Sequence, residues 1–252
     1  MVATLSRADV VFVGEQHDDP NTHRLERAIL EGVARRRSGV ILSLEMFERD
    51  VQTRVDQFAA GTASEVEFMA TSRPWPRYAT DYKPLVDFAI EKKWPVIAAN
   101  IPRPIASEIS KGGLDVLKGK SDAEKAWFAV DWQCPMDDEY YKRFAEVMGG
   151  HTKPEEMGRY YASQCLKDET MAESIARAWQ TAAAASPGVR PIAIHYNGAF
   201  HSDSGLGTAA RVRRRLPDAR TVVVSVVPVT SLDDLTPDEH KGKGDFVVFT
   251  IK

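Results

Sequence analysis

Val10-Val11-Phe12-Val13-Gly14-Glu15-Gln16-His17 decides the reading of the fold: a β-branched and aromatic run that breaks at once into a carboxylate, an amide and an imidazole. Three more runs end in the same way. Val40-Ile41-Leu42-Ser43-Leu44 ends on Glu45, and Pro95-Val96-Ile97-Ala98-Ala99 ends on Asn100. Pro191-Ile192-Ala193-Ile194 leads into His195, Asn197 and then Gly198-Ala199-Phe200-His201. Short apolar runs alternating with helical stretches predict an α/β fold with a mostly parallel sheet. Parallel strands place their carboxyl ends on one edge, where open α/β sheets bind ligands. The polar strand ends would then face one crevice.

The rest of the chain fits that frame. Asp18-Asp19-Pro20-Asn21 starts a helix that carries Leu25, Ala28, Ile29 and Val33 at helical spacing. Helices are expected from about Arg49 to Ala60, Ser64 to Ala70 and Pro84 to Lys92, with another opened by Pro102 and Pro104. The prolines of Ser72-Arg73-Pro74-Trp75-Pro76-Arg77-Tyr78 exclude regular helix there. From about Leu114 to Cys165 the chain is helical, aromatic and acidic, and reads as a lid inserted over the carboxyl edge. A further helix is expected from about Asp168 to Ala185, and a basic one at Arg211–Arg215. Strands at Thr221–Val227 and Phe246–Ile251 complete a sheet of about six, with helices on both faces. The reading is a single domain over residues 1–252 with a helical insertion at about 114–165.

Composition narrows the function. The 252 residues are 43% hydrophobic and 27% charged, which suits a globular core. A formal net charge of −3 gives no electrostatic case for nucleic acid. The amino terminus has no basic-then-apolar signal pattern. Cys134 and Cys165 are too few and too far apart for a thiolate zinc site, and read as two unrelated free thiols in preference to a disulfide. There is no Gly-x-Ser-x-Gly elbow, no Gly-x-Gly-x-x-Gly after the first strand and no Walker sequence.

Glu15 and His17, two apart in extended backbone, point to the same side and can offer oxygen and nitrogen to a metal or act as an acid–base pair. By itself such a tripeptide is more often a solvated turn. Glu45 ends a run that should be buried on both faces, so its carboxylate needs a metal, a histidine, or an ion pair with Arg49 or Arg103. His201 follows a glycine turn that would present its imidazole to the crevice. His195, at the end of an apolar strand, reads as a satisfied core histidine. The aromatic and Met side chains, Met46, Trp75, Tyr82, Met136, Tyr140 and Tyr160 among them, fill core and lid, or grip a large flat ligand such as haem.

Several segments together resemble a known family. They are Val-Gly-Glu-Gln-His-Asp-Asp with His23, Ser-Leu-Glu-Met-Phe-Glu-Arg-Asp with Gln52, Trp75, and Asp81-Tyr82-Lys83-Pro84-Leu85. Ala98-Ala99-Asn100-Ile101-Pro102-Arg103, Lys167-Asp168-Glu169-Thr170-Met171-Ala172 and Asn197-Gly198-Ala199-Phe200-His201 continue the series. In order from about residue 9 to residue 227, the chain resembles the ChaN-like haem-binding proteins of bacterial iron uptake. The resemblance implies haem held at the carboxyl edge under a helical lid, by a tyrosine with histidine assistance, in a homodimer. It further implies a membrane-anchored lipoprotein or periplasmic protein working with a membrane transporter. Tyr82 is the first candidate for the iron ligand, with Tyr140 and Tyr160 after it, and His17, His201 and Asn100 completing the haem site. The wider group includes the erythromycin-esterase-like enzymes and the Tiki metalloproteases. Likeness to these implies an alternative: an esterase or peptidase that activates water through Glu15, His17, Glu45 and His201, with or without a divalent metal ion on them.

Overall fold

The computed structural model describes residues 1–233 and 235–252. The first half of the chain runs α1 (Val2–Leu5), β1 (Val10–Glu15), α2 (Pro20–Ala34), β2 (Val40–Glu48), α3 (Gln52–Ala59), α4 (Glu65–Thr71), α5 (Tyr78–Asp81), α6 (Lys83–Glu91) and β3 (Val96–Asn100). It continues through α7 (Arg103–Gly112), α8 (Asp122–Lys125), α9 (Glu139–Met148), α10 (Pro154–Ala185), β4 (Ile192–Gly198), α11 (Gly207–Arg215), β5 (Thr221–Val229) and β6 (Phe246–Ile251). The six strands form one parallel sheet in the order β3-β2-β4-β1-β5-β6.

Alternation along β1 explains why the strand runs are continuously apolar. Val11 and Val13 face one core with Ile29, Leu30 and Val33 of α2 and Leu85 and Val86 of α6. Val10 and Phe12 face the other, against Ala172 and Ile175 of α10 and Val212 of α11. With both faces covered, every residue of β1 is buried. The register then sets the edge that matters: Glu15 lies opposite Gly198, and Leu44, just before Glu45, opposite Tyr196.

Local signals place the helices. Asp19 caps α2 by accepting from the Asn21 N–H, with Pro20 at the first position. Ser64 and Glu67 form a capping box at α4. Between α4 and α5, Arg73 and Arg77 take positive φ around the two prolines.

The structure differs from the sequence reading in three places. β2 continues past Glu45 to Glu48, with its pairing to β3 irregular between Leu44 and Glu48. The helix expected to begin near Asp168 instead begins at Pro154 and runs unbroken for 32 residues. It therefore reaches from the helical segment above the sheet down across the sheet's face. The two cysteines are joined: Cys134 and Cys165 form a disulfide. The irregular segment before α9 lies along α10, whose side chains accept its backbone N–H groups. Thr170 takes that of Ala129, Glu173 that of Val130 and Glu169 that of Gln133. That docking brings Cys134 beside Cys165, which their separation in sequence does not reveal.

Candidate functional site

The titratable side chains of the crevice come from strand ends, from the loops that follow them and from α10. Glu15, at the end of β1, is buried; its Oε1 accepts from Tyr82 Oη at 2.7 Å and pairs closely with His17 Nδ1. Burial favours the neutral acid, but the adjoining side chains of Glu26, His17 and Tyr82 outweigh it and lower the Glu15 pKa. The His17 side chain is 45% exposed and meets the Trp75 ring edge-on. Burial lowers its pKa, but the Glu15 hydrogen bond and the charge of Glu45 raise it overall.

Glu45 pairs with neither Arg49 nor Arg103. Arg49 is taken by Glu173 and Ser174, and Arg103 lies 3.6 Å from Glu48. Glu45 Oε2 accepts the Gly198 N–H at 2.7 Å, and Oε1 lies 3.4 Å from His201 Nε2. The other nitrogen of His201 lies 2.7 Å from Asp168 Oδ1. Asp168 also accepts from Thr208 at 2.7 Å and from Tyr140 Oη at 2.5 Å, so both its oxygens are engaged. Burial alone would lower the His201 pKa; the charges of Glu45 and Asp168 override it and raise it to about 10. Burial would raise Glu45, but the His201 charge brings it down to about 2. At neutral pH His201 is thus an imidazolium clamped between two carboxylates.

Gly198 permits this crowding. A Cβ there would stand 2.8 Å from His17 Nε2 and 3.7 Å from Glu45 Oε2. Above the cluster is a cavity of about 350 Å³, lined by Glu15, His17 and His201 below and by Phe144, Val147 and Met148 of α9 to one side. Gln164 of α10 closes it, with its amide nitrogen 3.3 Å from His201 Nδ1. A larger groove of about 690 Å³ runs along the β3 edge beside α10. The chemistry is elsewhere: in that groove Arg49 is already paired, and Gln52 bonds the backbone of Val96 and Ala98.

The structure therefore brings Glu15, His17, Glu45 and His201 together. Asn100 is not among them. It ends β3 opposite Glu48, and its Oδ1 accepts from the Ile101 N–H. His195 is buried, its Nδ1 lies 2.9 Å from Ser43 Oγ, and burial lowers its pKa to about 4. Among the tyrosines, Tyr82 and Tyr140 are buried with hydroxyls committed to Glu15 and Asp168, whereas Tyr160 is 39% exposed. Burial, reinforced by those carboxylates, pushes the pKa of both buried phenols upward. Sequence reasoning did not assign Asp168 and Gln164 to the site. Both lie on α10, and Asp168 stands inside the quoted Lys167–Ala172 segment, which was the available signal.

The family model for haem-binding uptake, Tiki superfamily, ChaN, matches residues 1–212. No curated protein matches the chain. Among solved structures, that of cofacial heme binding to ChaN of Campylobacter jejuni aligns with a TM-score of 0.68 at 17% identity, covering 98% of this chain and 89% of that one. The type III effector HopBA1 aligns with a TM-score of 0.50 at 13% identity, over 100% of this chain and 91% of its own. At such identities the likeness is one of fold.

Proposed function

The chain belongs to the haem-binding uptake family of the Tiki superfamily typified by ChaN, and from that premise we propose that it binds haem across the mouth of the Glu15–His17–His201 cavity. The observation that carries the site is His17: half exposed, and braced at Nδ1 by a buried carboxylate. A carboxylate behind an imidazole fixes the ring and raises its basicity toward a metal. The cavity is too small to enclose a porphyrin, so the ring lies over its mouth against Phe144, Val147 and Met148.

An iron-bound tyrosine gives up its proton, and the buried phenols of Tyr82 and Tyr140 resist that. Tyr160 is solvent-accessible and lies one helical turn before Gln164, on the same side of α10. We therefore assign it the ligand role ahead of Tyr82. Exposed Met136, Val147 and Tyr160 leave an apolar rim that a second copy, with its own haem, would cover. Among the described residues no helix is long and apolar enough to cross a membrane. The Cys134–Cys165 disulfide suits an oxidising compartment outside the cytoplasm, from which haem would be passed to a membrane transporter.

Hemin titration tests the reading. The expected result is a Soret shift whose position changes in Tyr160→Phe and His17→Ala but not in Tyr140→Phe. No shift in the unaltered chain, or identical spectra in all variants, overturns it.

One observation favours a second reading. The Asp168–His201–Glu45 and Glu15–His17 pairings are acid–base arrangements that a haem carrier does not need. In a water-activating esterase or peptidase, His17 would take the proton, because His201 is already protonated. A divalent ion on Glu15, His17, Glu45 and His201 would serve the same chemistry. Hydrolysis of ester or peptide substrates that is lost in His17→Ala would support it.

A further inference from the structure

Beneath the crevice, the buried side chain of Glu15 turns its second oxygen, Oε2, away from His17 and Tyr82. That oxygen has no hydrogen-bond partner among the described residues, and neither has Oε1 of Glu26 on α2. Both residues are buried, Glu26 completely. Between them stands the imidazole of His23, with Nδ1 2.9 Å from Glu26 Oε2 and 3.8 Å from Glu15 Oε2. Its far nitrogen, Nε2, faces acceptors only: the His17 carbonyl at 3.2 Å and Asp81 Oδ2 at 3.3 Å. Both ring nitrogens of His23 thus face oxygen atoms, and the Nδ1 side opens on the buried carboxyl groups of Glu15 and Glu26.

We propose that Glu15, His23 and Glu26 form a binding site for one divalent first-row transition ion, separate from the His17–His201 crevice and joined to it through the two oxygens of Glu15. One ligand atom from each of the three residues lies within 4.8 Å of the others. Such a spacing lets a single ion stand about 2.4 Å from the widest pair, and an inward movement of a few tenths of an ångström reaches the roughly 2.0–2.2 Å of zinc bonds to imidazole and carboxylate. One imidazole with two carboxylates is a donor set for zinc, manganese or iron(II). His23 also has the support that metal-bound histidines show, a carbonyl and a carboxylate on the opposite nitrogen. The i, i+3 spacing of His23 and Glu26 on α2 puts both on one helical face, and Tyr82 packs edge-on against the His23 ring. An ion here would hold Glu15 as a carboxylate behind His17, whichever ligand the crevice takes.

The test uses the full chain stripped with EDTA and titrated with Zn²⁺ by calorimetry and with Co²⁺ by visible absorption. One equivalent of Zn²⁺ is expected to bind, with a matching Co²⁺ ligand-field band. His23→Gln and Glu26→Gln should each weaken Zn²⁺ at least 100-fold, while His201→Ala retains the equivalent. Anomalous diffraction from Zn²⁺-soaked crystals of the unaltered chain needs no variant to fold, and should place the ion against His23 Nδ1. An unaltered chain that binds no Zn²⁺, variants that bind it like the unaltered chain, or an anomalous peak at His17 and His201 instead would each overturn the proposal. Hemin binding is read separately, so failure here leaves the haem reading standing.

Discussion

Asp168, in the long helix α10, holds His201, on the loop after β4, through a 2.7 Å contact between Oδ1 and Nδ1. The contact ties the helix that overlies the sheet to the sheet's ligand-binding edge, and Tyr140 of α9 and Thr208 of α11 join it on the same carboxylate. Four separate elements thus meet at one buried charge. Removing that charge leaves His201 with Glu45 alone, at 3.4 Å. Asp168→Asn is expected to lower stability by about 3–5 kcal/mol, the usual consequence of breaking a buried ion pair. Tyr140→Phe, which removes one hydrogen bond, should cost about 1–2 kcal/mol. Urea denaturation at neutral pH measures both; equal losses would mean that the charge is not what matters.

The Glu45–His201 pair predicts a pH window. His201 has its folded pKa raised to about 10 from 6.5, so its contribution is complete below pH 6.5 and disappears as pH rises through about 10. Glu45 has its folded pKa lowered to about 2 from 4.5, so its contribution is complete above pH 4.5 and disappears as pH falls through about 2. The stability advantage of the unaltered chain over His201→Gln should therefore be flat between those unfolded-state values and fall away on both sides. Its height should be on the order of 3 kcal/mol, with the Glu45–His201 contact, which enters both shifts, counted once. A difference that does not vary with pH would contradict the ion pair.

Gly198 is a steric test of the crevice. Its φ of −54° is open to any residue, so alanine brings no backbone strain, only a methyl group 2.8 Å from His17 Nε2. Because His17 is half exposed, its ring can swing away at small cost. Gly198→Ala is expected to change stability by no more than about 1 kcal/mol while weakening hemin binding tenfold or more. Wild-type affinity in this variant would remove His17 from the haem site.

The disulfide closes a loop of 31 residues that contains α9 and the start of α10. Cys134→Ser should lower stability by about 3–4 kcal/mol through the freedom returned to the unfolded chain. It should also loosen the α9 wall of the cavity. Melting curves with and without reductant check this: the unaltered chain should shift down under reductant and the variant should not.

The strand signals in the sequence were enough to determine the parallel sheet and its ligand-binding edge. Continuous apolar runs ending on Glu15, Glu45 and Gly198–His201 can be satisfied only by burial on both faces with polar ends together, because strand periodicity and βα alternation are local properties. For the same reason the caps at Asp19 and Ser64 were legible. What the sequence left open depends on contacts between distant segments. Nothing local marks Asp168 as the partner of His201, or Cys134 as the partner of Cys165, since both pairings arise only when α10 lies across the sheet and takes the Ala129–Gln133 backbone along its side. The three tyrosines likewise look equivalent as letters. Packing alone makes Tyr82 and Tyr140 buried donors to carboxylates and leaves Tyr160 at the surface, because burial is a property of the assembled core and not of the residue.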